Sequence, residues 1–188
     1  MLNIRYLAGH SVTPLDDPRA HLQLAAEIAG LHFYRIPDTL PRFYLVPSVH
    51  VSRGLDETFS YLARPDFDPA HEAVVEANEL PPPGPLGNGA VTVERYSANQ
   101  VALKIVADAR SFLASSEPLY PGWTASVNGQ PVRLYMTNGA FRGIWLKPGV
   151  NQVMMTYWPQ GFLIWAAVSV ASLALVSAGL VLGGSRVK

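Results

Sequence analysis

The sequence contains no cysteine and few charged side chains. None of its 188 residues is a cysteine, which excludes a disulfide framework, a thiolate metal site and a cysteine nucleophile. Charged residues make up only 15% of the chain, and 14 basic and 14 acidic side chains balance to a formal net charge of zero. A protein without excess positive charge lacks the electrostatic signature of nucleic-acid binding. We therefore expect no nucleic acid as a partner.

The sequence also lacks the short motifs that carry catalysis or metal binding. It has no P-loop, no dinucleotide-binding glycine motif and no G-x-S-x-G element. No H-x-H or H-E-x-x-H spacing occurs among the histidines, which are His10, His21, His32, His50 and His71. Neighbouring carboxylates suit loops and helix starts better than acid–base catalysis; they are Asp16/Asp17, Asp56/Glu57 and Asp66/Asp68. We predict no metal, no cofactor and no catalytic residue in this chain.

A long hydrophobic run stands at the C-terminus. Residues 161–184 carry no charge, and their only polar side chains are three serines. A helix of that length, at about 1.5 Å per residue, reaches roughly 36 Å, enough for a hydrocarbon core of about 30 Å. The alternative, a buried helix of a soluble core, seldom runs so far without a charge. The run therefore predicts a single transmembrane helix over 161–184, in contact with a lipid bilayer.

The flanks of this run predict an orientation. Basic residues beside a span stay in the cytoplasm, so Arg186 and Lys188 predict a cytoplasmic C-terminus and an extracytoplasmic position for residues 1–160. The N-terminus has no apolar stretch of the signal-peptide type that would carry such a domain across. We therefore expect the chain to be the C-terminal part of a longer polytopic protein, in contact with its remaining transmembrane core.

Turn-forming residues divide the predicted external part. Residues 80–89 hold four prolines and three glycines and have the composition of a linker. Before it, residues 1–79 are predicted as a mixed α/β segment, with helical composition at 21–30 and 56–63. After it, residues 90–158 show about seven short stretches of strand type, which predict an antiparallel β-sandwich and a mainly β chain. Turn signals separate the strands, among them Tyr120-Pro121-Gly122-Trp123, Asn128-Gly129 and Asn138-Gly139.

Aromatic residues in the predicted sandwich have two interpretations. Such a set could stack on the apolar face of a sugar ring, but strand alternation would also bury several members in the core, and we favour the core. The residues are Tyr120, Trp123, Tyr135, Phe141 and Trp145. Arg142 follows Phe141 on its strand and is predicted to face the opposite side, where it is either solvated or meets a lipid phosphate or a polar substrate.

An ordered series of motifs resembles a known family. The series consists of Tyr120-Pro121-Gly122-Trp123, Val127-Asn128-Gly129, Asn138-Gly139-Ala140-Phe141-Arg142-Gly143, Pro148-Gly149 and Tyr157-Trp158-Pro159, followed by the hydrophobic run. Its order and spacing are similar to the C-terminal end of bacterial YfhO-type membrane proteins. Leu40-Pro41-Arg42 resembles an upstream motif of the same family, so the likeness covers about residues 32–182. The chain departs from the family at Asn128, where an aspartate is common.

The resemblance implies a protein of the bacterial cell membrane, similar to GT-C glycosyltransferases that transfer sugar from lipid-linked donors on the outer face. Some members are implicated in glycosylating cell-envelope polymers. The catalytic carboxylate of such enzymes lies between N-terminal spans that this chain lacks, so the chain alone is expected not to be catalytic. We expect an accessory domain that helps shape the site for the lipid-linked sugar or envelope glycan, with contacts from Tyr120, Trp123, Asn138 and Arg142. The alternative is a membrane-anchored, non-enzymatic module that binds envelope glycan or a partner protein.

Overall fold

A computed structural model describes residues 3–10, 22–78 and 84–184, with side chains as far as Ala178. The described residues form fourteen strands in three sheets, and two helices. In chain order the elements are β1 (Tyr6–Gly9), β2 (Gln23–Ile28), β3 (Leu31–Arg35), β4 (Phe43–Val46), β5 (Ser48–Ser52), α1 (Leu55–Leu62), β6 (Glu72–Glu76), β7 (Gly89–Tyr96), β8 (Gln100–Ala107), β9 (Ser111–Ser115), β10 (Trp123–Val127), β11 (Gln130–Val132), β12 (Tyr135–Thr137), β13 (Phe141–Leu146), β14 (Gly149–Tyr157) and α2 (Phe162–Gly184). The predicted mainly β class is confirmed.

Two sheets pack face to face as the predicted sandwich. The first has the antiparallel order β11-β10-β14-β8-β7, and the second has the order β4-β9-β13-β12-β6-β5. Strand β8 alternates as its sequence predicts, with Val101, Leu103 and Ile105 almost fully buried. These side chains meet Leu113 and Ile144 of the second sheet in one hydrophobic core. Each fully buried aliphatic side chain of this kind stabilises the fold by about 1.5–3 kcal/mol.

The second sheet also contains strands from the N-terminal part of the chain. Strands β5 and β6 pair in parallel, and α1 lies between them in the chain, as is usual for the crossover connection that parallel neighbours need. Helix α1 confirms the helical composition at 56–63. Strand β9 in the middle of the sheet is buried along its whole length, which is typical of a strand covered on both faces.

A separate antiparallel sheet has the order β1-β3-β2. The helix predicted over 21–30 is wrong, because Gln23–Ile28 pairs with Leu31–Arg35 across a turn in which Ala29 and Gly30 both have positive φ. Such a two-residue turn matches the twist of paired strands and closes a hairpin. Predicted features at Asp16/Asp17, His21 and residues 80–83 lie outside the described residues.

Helix α2 begins one residue after the start of the predicted hydrophobic segment. Within the part of the chain that the structure describes, however, no helix combines the length and apolar character that crossing a membrane requires. The transmembrane helix predicted over 161–184 is therefore not supported. Arg186 and Lys188, which carried the predicted orientation, lie outside the described residues.

Candidate functional site

The candidate site forms where the chain leaves β9 and runs beside β13. The backbone N–H of Arg142 donates to the carbonyl oxygen of Glu117 at 2.9 Å, and the hydroxyl of Ser115 donates to the carbonyl oxygen of Arg142 at 2.7 Å. An isolated bridge between Pro118 and Phe141 continues this pairing. The pairing continues past Pro118, which itself has no N–H to donate, because the Leu119 N–H donates to the Ala140 carbonyl oxygen at 2.8 Å. The side chains of Glu117 and Arg142 are thereby held next to each other.

Arg142 forms a buried ion pair with Glu117. The Arg142 side chain is only 1% exposed, and its Nη2 lies 3.0 Å from Glu117 Oε2. The guanidinium carbon also lies 3.5 Å from the centroid of the Trp123 ring, a cation–π contact between the two sheets. Burial lowers the pKa of Arg142, while Glu117 opposes that shift. A guanidinium still stays charged in proteins, so this side chain places a positive charge inside the sandwich.

Glu117 is shared with a second arginine and a tyrosine. Its Oε1 accepts hydrogen bonds from Arg42 Nη1 at 2.7 Å and from the Tyr96 hydroxyl at 2.8 Å. The hydrogen bond to Glu117 raises the pKa of Arg42, and burial is the main cause of the raised pKa of Tyr96. Four segments of the chain therefore meet at the Glu117 carboxylate. They are the residue before β4, the end of β7, the segment after β9 and strand β13. We call Arg42, Tyr96, Glu117 and Arg142 the arginine cluster.

Tyr120 and Trp123 form a wall shared by two cavities. The smaller cavity, of about 280 Å³, is lined by both aromatic residues together with Glu117, Arg142 and Tyr157. We call it the arginine pocket. The larger cavity, of about 560 Å³, is also lined by Tyr120 and Trp123, and we call it the apolar groove. Its further lining includes Pro131, Val132, Leu134, Met136 and Gln160.

A tight turn places this wall. The Trp123 N–H donates to the Tyr120 carbonyl oxygen at 3.3 Å, as the predicted Tyr-Pro-Gly-Trp turn requires. Gly122 has a φ of 106°, and a Cβ there would stand 2.4 Å from the carbonyl oxygen of Trp158. Trp123 then pairs with Tyr157 of β14, with ring centroids 5.4 Å apart. Only glycine fits at position 122, so this turn sets the direction of the Trp123 ring.

The structure brings three of the four predicted contact residues together. Tyr120 is 62% exposed, Trp123 is half-buried, and both line the arginine pocket with Arg142. Of the two environments predicted for Arg142, solvation is wrong, because its side chain is 1% exposed. Asn138 lines neither of the two cavities: its Oδ1 accepts from the Val74 N–H at 2.8 Å, and its own N–H donates to the Val74 carbonyl oxygen at 2.7 Å. Asn138 thus connects the β12–β13 turn to β6.

The predicted aromatic set is divided between core and surface. Phe141 is buried, whereas Tyr135 and Trp145 are half-buried. Trp145 packs edge-on against Phe112 at 4.8 Å between ring centroids. Phe141 and Trp145 lie on β13, in which five of six residues are buried, and Tyr120 lies in the exposed turn before β10.

The residues missed by sequence reasoning are Glu117 and Tyr96, and Arg42 was singled out only through the family resemblance. One signal was present. Glu117 lies two residues after the end of the buried strand β9, and Arg142 is the one charged residue in Phe141–Leu146. A lone charge in one buried strand and another just after a second buried strand indicate a pair, because buried charges need partners. Within the described residues, no group of three or more acidic or histidine side chains could hold a metal ion.

A family model described as "Bacterial membrane protein YfhO" matches residues 86–169. The matched segment contains every lining residue of the arginine pocket and of the apolar groove. Arg42 lies outside it. No curated protein and no solved structure matches the chain.

Proposed function

We propose that the β-sandwich, which lies largely within the residues 86–169 matched by the family model of bacterial membrane protein YfhO, is an extracytoplasmic accessory module of a glycosyltransferase-like membrane protein. In this role the module binds the sugar of a lipid-linked donor or of an envelope glycan. The bond-making chemistry belongs to another part of the longer protein. The observation that carries the proposal is the Tyr120–Trp123 wall between two cavities.

The chemistry of the wall suits a sugar ring. Aromatic faces stack on the apolar C–H face of a sugar, and polar groups at the rim then orient its hydroxyls. In the arginine pocket, Glu117 offers a carboxylate acceptor and Arg142 offers N–H donors. The apolar groove has the size of small-ligand sites, which span about 300–1,000 Å³. Gln160, two residues before α2, lines this groove, so both cavities lie near the start of the C-terminal helix.

Sugar binding is tested with the full chain in an amine-oxide detergent, whose head group contains neither sugar nor phosphate. Methyl hexopyranosides and N-acetylhexosamines are added in turn, and saturation-transfer NMR reports contact with the protein. We expect saturation of ring C–H protons, and a loss of affinity of about tenfold in Trp123→Ala, equal to about 1.4 kcal/mol.

The matched control is Trp158→Ala. Trp158 is an exposed tryptophan, 58% accessible, and its side chain packs against Phe162 rather than lining either cavity. This variant should bind sugar as the unaltered chain does. The proposal fails if no sugar shows saturation, or if both tryptophan variants lose affinity equally.

The alternative role, a non-enzymatic module that binds glycan or a partner protein, would use the same pocket. The two roles differ in what a binding defect does to sugar transfer. In cells that carry the longer protein, Trp123→Ala should lower glycosylation of the envelope polymer if the module is accessory to an enzyme. Unchanged glycosylation together with lost sugar binding would favour the non-enzymatic role.

A further inference from the structure

Arg142 is buried with most of its donors unused. Its side chain is 1% exposed, and the residues that the structure describes provide no hydrogen-bond partner for its Nε and Nη1 atoms. A guanidinium has five N–H donors, of which Nη2 carries two, so three donors of Arg142 are unpaired. Buried charged donors are normally paired, because leaving them unpaired is destabilising. The same side chain lines the arginine pocket.

Glu117 does not supply the missing partners. Its Oε2 binds Arg142 Nη2, while its Oε1 already accepts from Arg42 and Tyr96. The arginine cluster holds two guanidinium charges and one carboxylate, which leaves one positive charge in excess. The Trp123 face offsets part of that charge. An aromatic face nevertheless accepts no hydrogen bond in the plane of the guanidinium, where the unpaired N–H groups point.

We propose that the arginine pocket is an oxyanion site that binds the phosphate of a phosphate ester. A phosphate supplies several acceptor oxygens for the three unpaired donors, and its charge cancels the excess of the cluster. The organic part of the ester would lie against Tyr120 and Trp123, which form the wall of the pocket. A neutral sugar hydroxyl could accept one of these hydrogen bonds but would leave the charge in place.

This inference rests on the proposed function in taking the arginine pocket as the binding site, and it adds the charged group that the site recognises. The ester could be soluble or polymer-borne, or it could be the head group of a bilayer lipid. Both sources offer the same phosphate chemistry. They differ in whether binding requires a bilayer.

The test follows the side-chain Nε–H resonance of Arg142 in the full chain, labelled with ¹⁵N-arginine. In amine-oxide micelles the chain is titrated with inorganic phosphate and with glycerol phosphate at constant ionic strength, since salt screens exposed charges. A saturable shift of the Arg142 resonance identifies a soluble or polymer-borne ester. A shift on transfer into phosphatidylglycerol nanodiscs, with no ester added and none seen in micelles, identifies a lipid head group.

Two variants and a control sharpen the result. Arg142→Gln removes the reporting resonance, so binding in both arginine variants is followed through the indole N–H of Trp123, which lines the same pocket, after labelling with ¹⁵N-tryptophan. Arg142→Gln should weaken phosphate binding about tenfold or more. Glu117→Gln should raise the affinity for phosphate several-fold, because it removes the carboxylate that competes for Arg142 and leaves the arginine pocket positively charged. The control is Arg133→Gln: Arg133 also stacks on an aromatic ring, 5.0 Å from the centroid of Tyr135, but it is exposed and lines neither cavity.

The Glu117→Gln arm keeps the test decisive if Arg142→Gln fails to fold, since it predicts a gain rather than a loss. The inference is overturned if neither micelles with ester nor nanodiscs shift the Arg142 resonance, or if Arg133→Gln and Arg142→Gln weaken binding equally. Phosphate binding without sugar saturation would contradict the proposed sugar-binding function and support the phosphate site. Sugar saturation without phosphate binding would do the opposite.

Discussion

Replacing Glu117 by glutamine tests the arginine cluster as a source of stability. The substitution keeps the size of the side chain and one carbonyl acceptor, but it removes the charge that faces Arg142. Because Arg142 is 1% exposed and Glu117 13%, the variant leaves a nearly buried guanidinium without its counter-charge. Removing one partner of a buried pair destabilises by about 3–5 kcal/mol. The Arg42 pair adds little, because Arg42 is 46% exposed and exposed pairs contribute about 0–1 kcal/mol.

We expect a loss of about 3 kcal/mol in the free energy of unfolding, near the lower limit because the amide oxygen still accepts a hydrogen bond. For a chain of this size, about 1 kcal/mol lowers the melting temperature by roughly 2–4 °C. The variant should therefore melt about 6–12 °C lower. The measurement is thermal unfolding of the full chain, followed by near-ultraviolet circular dichroism in amine-oxide micelles.

Asp66→Asn is the matched control, since it removes a carboxylate from the exposed pair with Arg64 and should leave the melting temperature unchanged. A second check is the double variant Glu117→Gln/Arg142→Met. It removes both buried charges, so it should melt above Glu117→Gln alone. The reasoning about the cluster is refuted if Glu117→Gln melts within about 2 °C of the unaltered chain, well below the expected shift, or if the double variant is the less stable of the two.

Three further predictions concern other buried groups. Asn138→Ala removes the acceptor of the Val74 N–H and should cost about 1–3 kcal/mol in unfolding free energy, measured by chemical denaturation. Gly122→Ala should destabilise by more than about 1 kcal/mol and also weaken sugar binding, because the added methyl group meets the Trp158 carbonyl oxygen. Burial raises the pKa of Tyr44 from 10.0 to about 12, so its neutral form stabilises the folded state fully below pH 10 and this stabilisation is lost as the pH rises toward 12. Between pH 10 and pH 12 the unaltered chain should lose about 2–3 kcal/mol of unfolding free energy through Tyr44, and Tyr44→Phe should not show this loss.

Each of these predictions has an outcome that contradicts it. For Asn138→Ala, an unchanged free energy of unfolding would contradict the role of the Val74 hydrogen bond. Asn138→Gly is the control for the backbone, because glycine adopts the φ of 50° without strain but also lacks the acceptor, so it should be destabilised as well. For Gly122→Ala, normal stability and binding would mean that the turn has room to move. For Tyr44→Phe, a pH profile parallel to that of the unaltered chain between pH 10 and 12 would contradict the raised pKa.

The features that the sequence predicted correctly are local ones. In Asn128-Gly129 and Asn138-Gly139, all four residues adopt the positive φ that the dipeptides favour. Val101, Leu103 and Ile105 are buried on one face of β8, as their alternation indicates. Helix α1 follows from its composition, and α2 begins within a residue of the hydrophobic segment. Each of these predictions depends only on the hydrophobic periodicity, the composition or the turn residues of a short stretch of sequence.

The sequence prediction failed where pairing overrides composition. Residues 21–30 have helical composition, yet Gln23–Ile28 is a strand because Leu31–Arg35 lies beside it after a tight turn. Helix propensity amounts to less than about 1 kcal/mol per residue, which backbone pairing with a neighbouring strand outweighs. The predicted membrane span is not supported, since no described helix combines the length and the apolar character that crossing a membrane requires.

By itself, the sequence determined a mainly β chain, its turns, its C-terminal helix and its match to the YfhO family model over residues 86–169. Only the tertiary structure decided that Glu117 meets Arg142, 25 positions away, and Arg42, 75 positions away, and that Trp123 covers the buried guanidinium. Strand alternation states which face a side chain occupies but not which strand lies across from it. The order of strands in the two sheets decides which side chains come into contact, and therefore the burial, the charge balance and the chemistry of the arginine pocket.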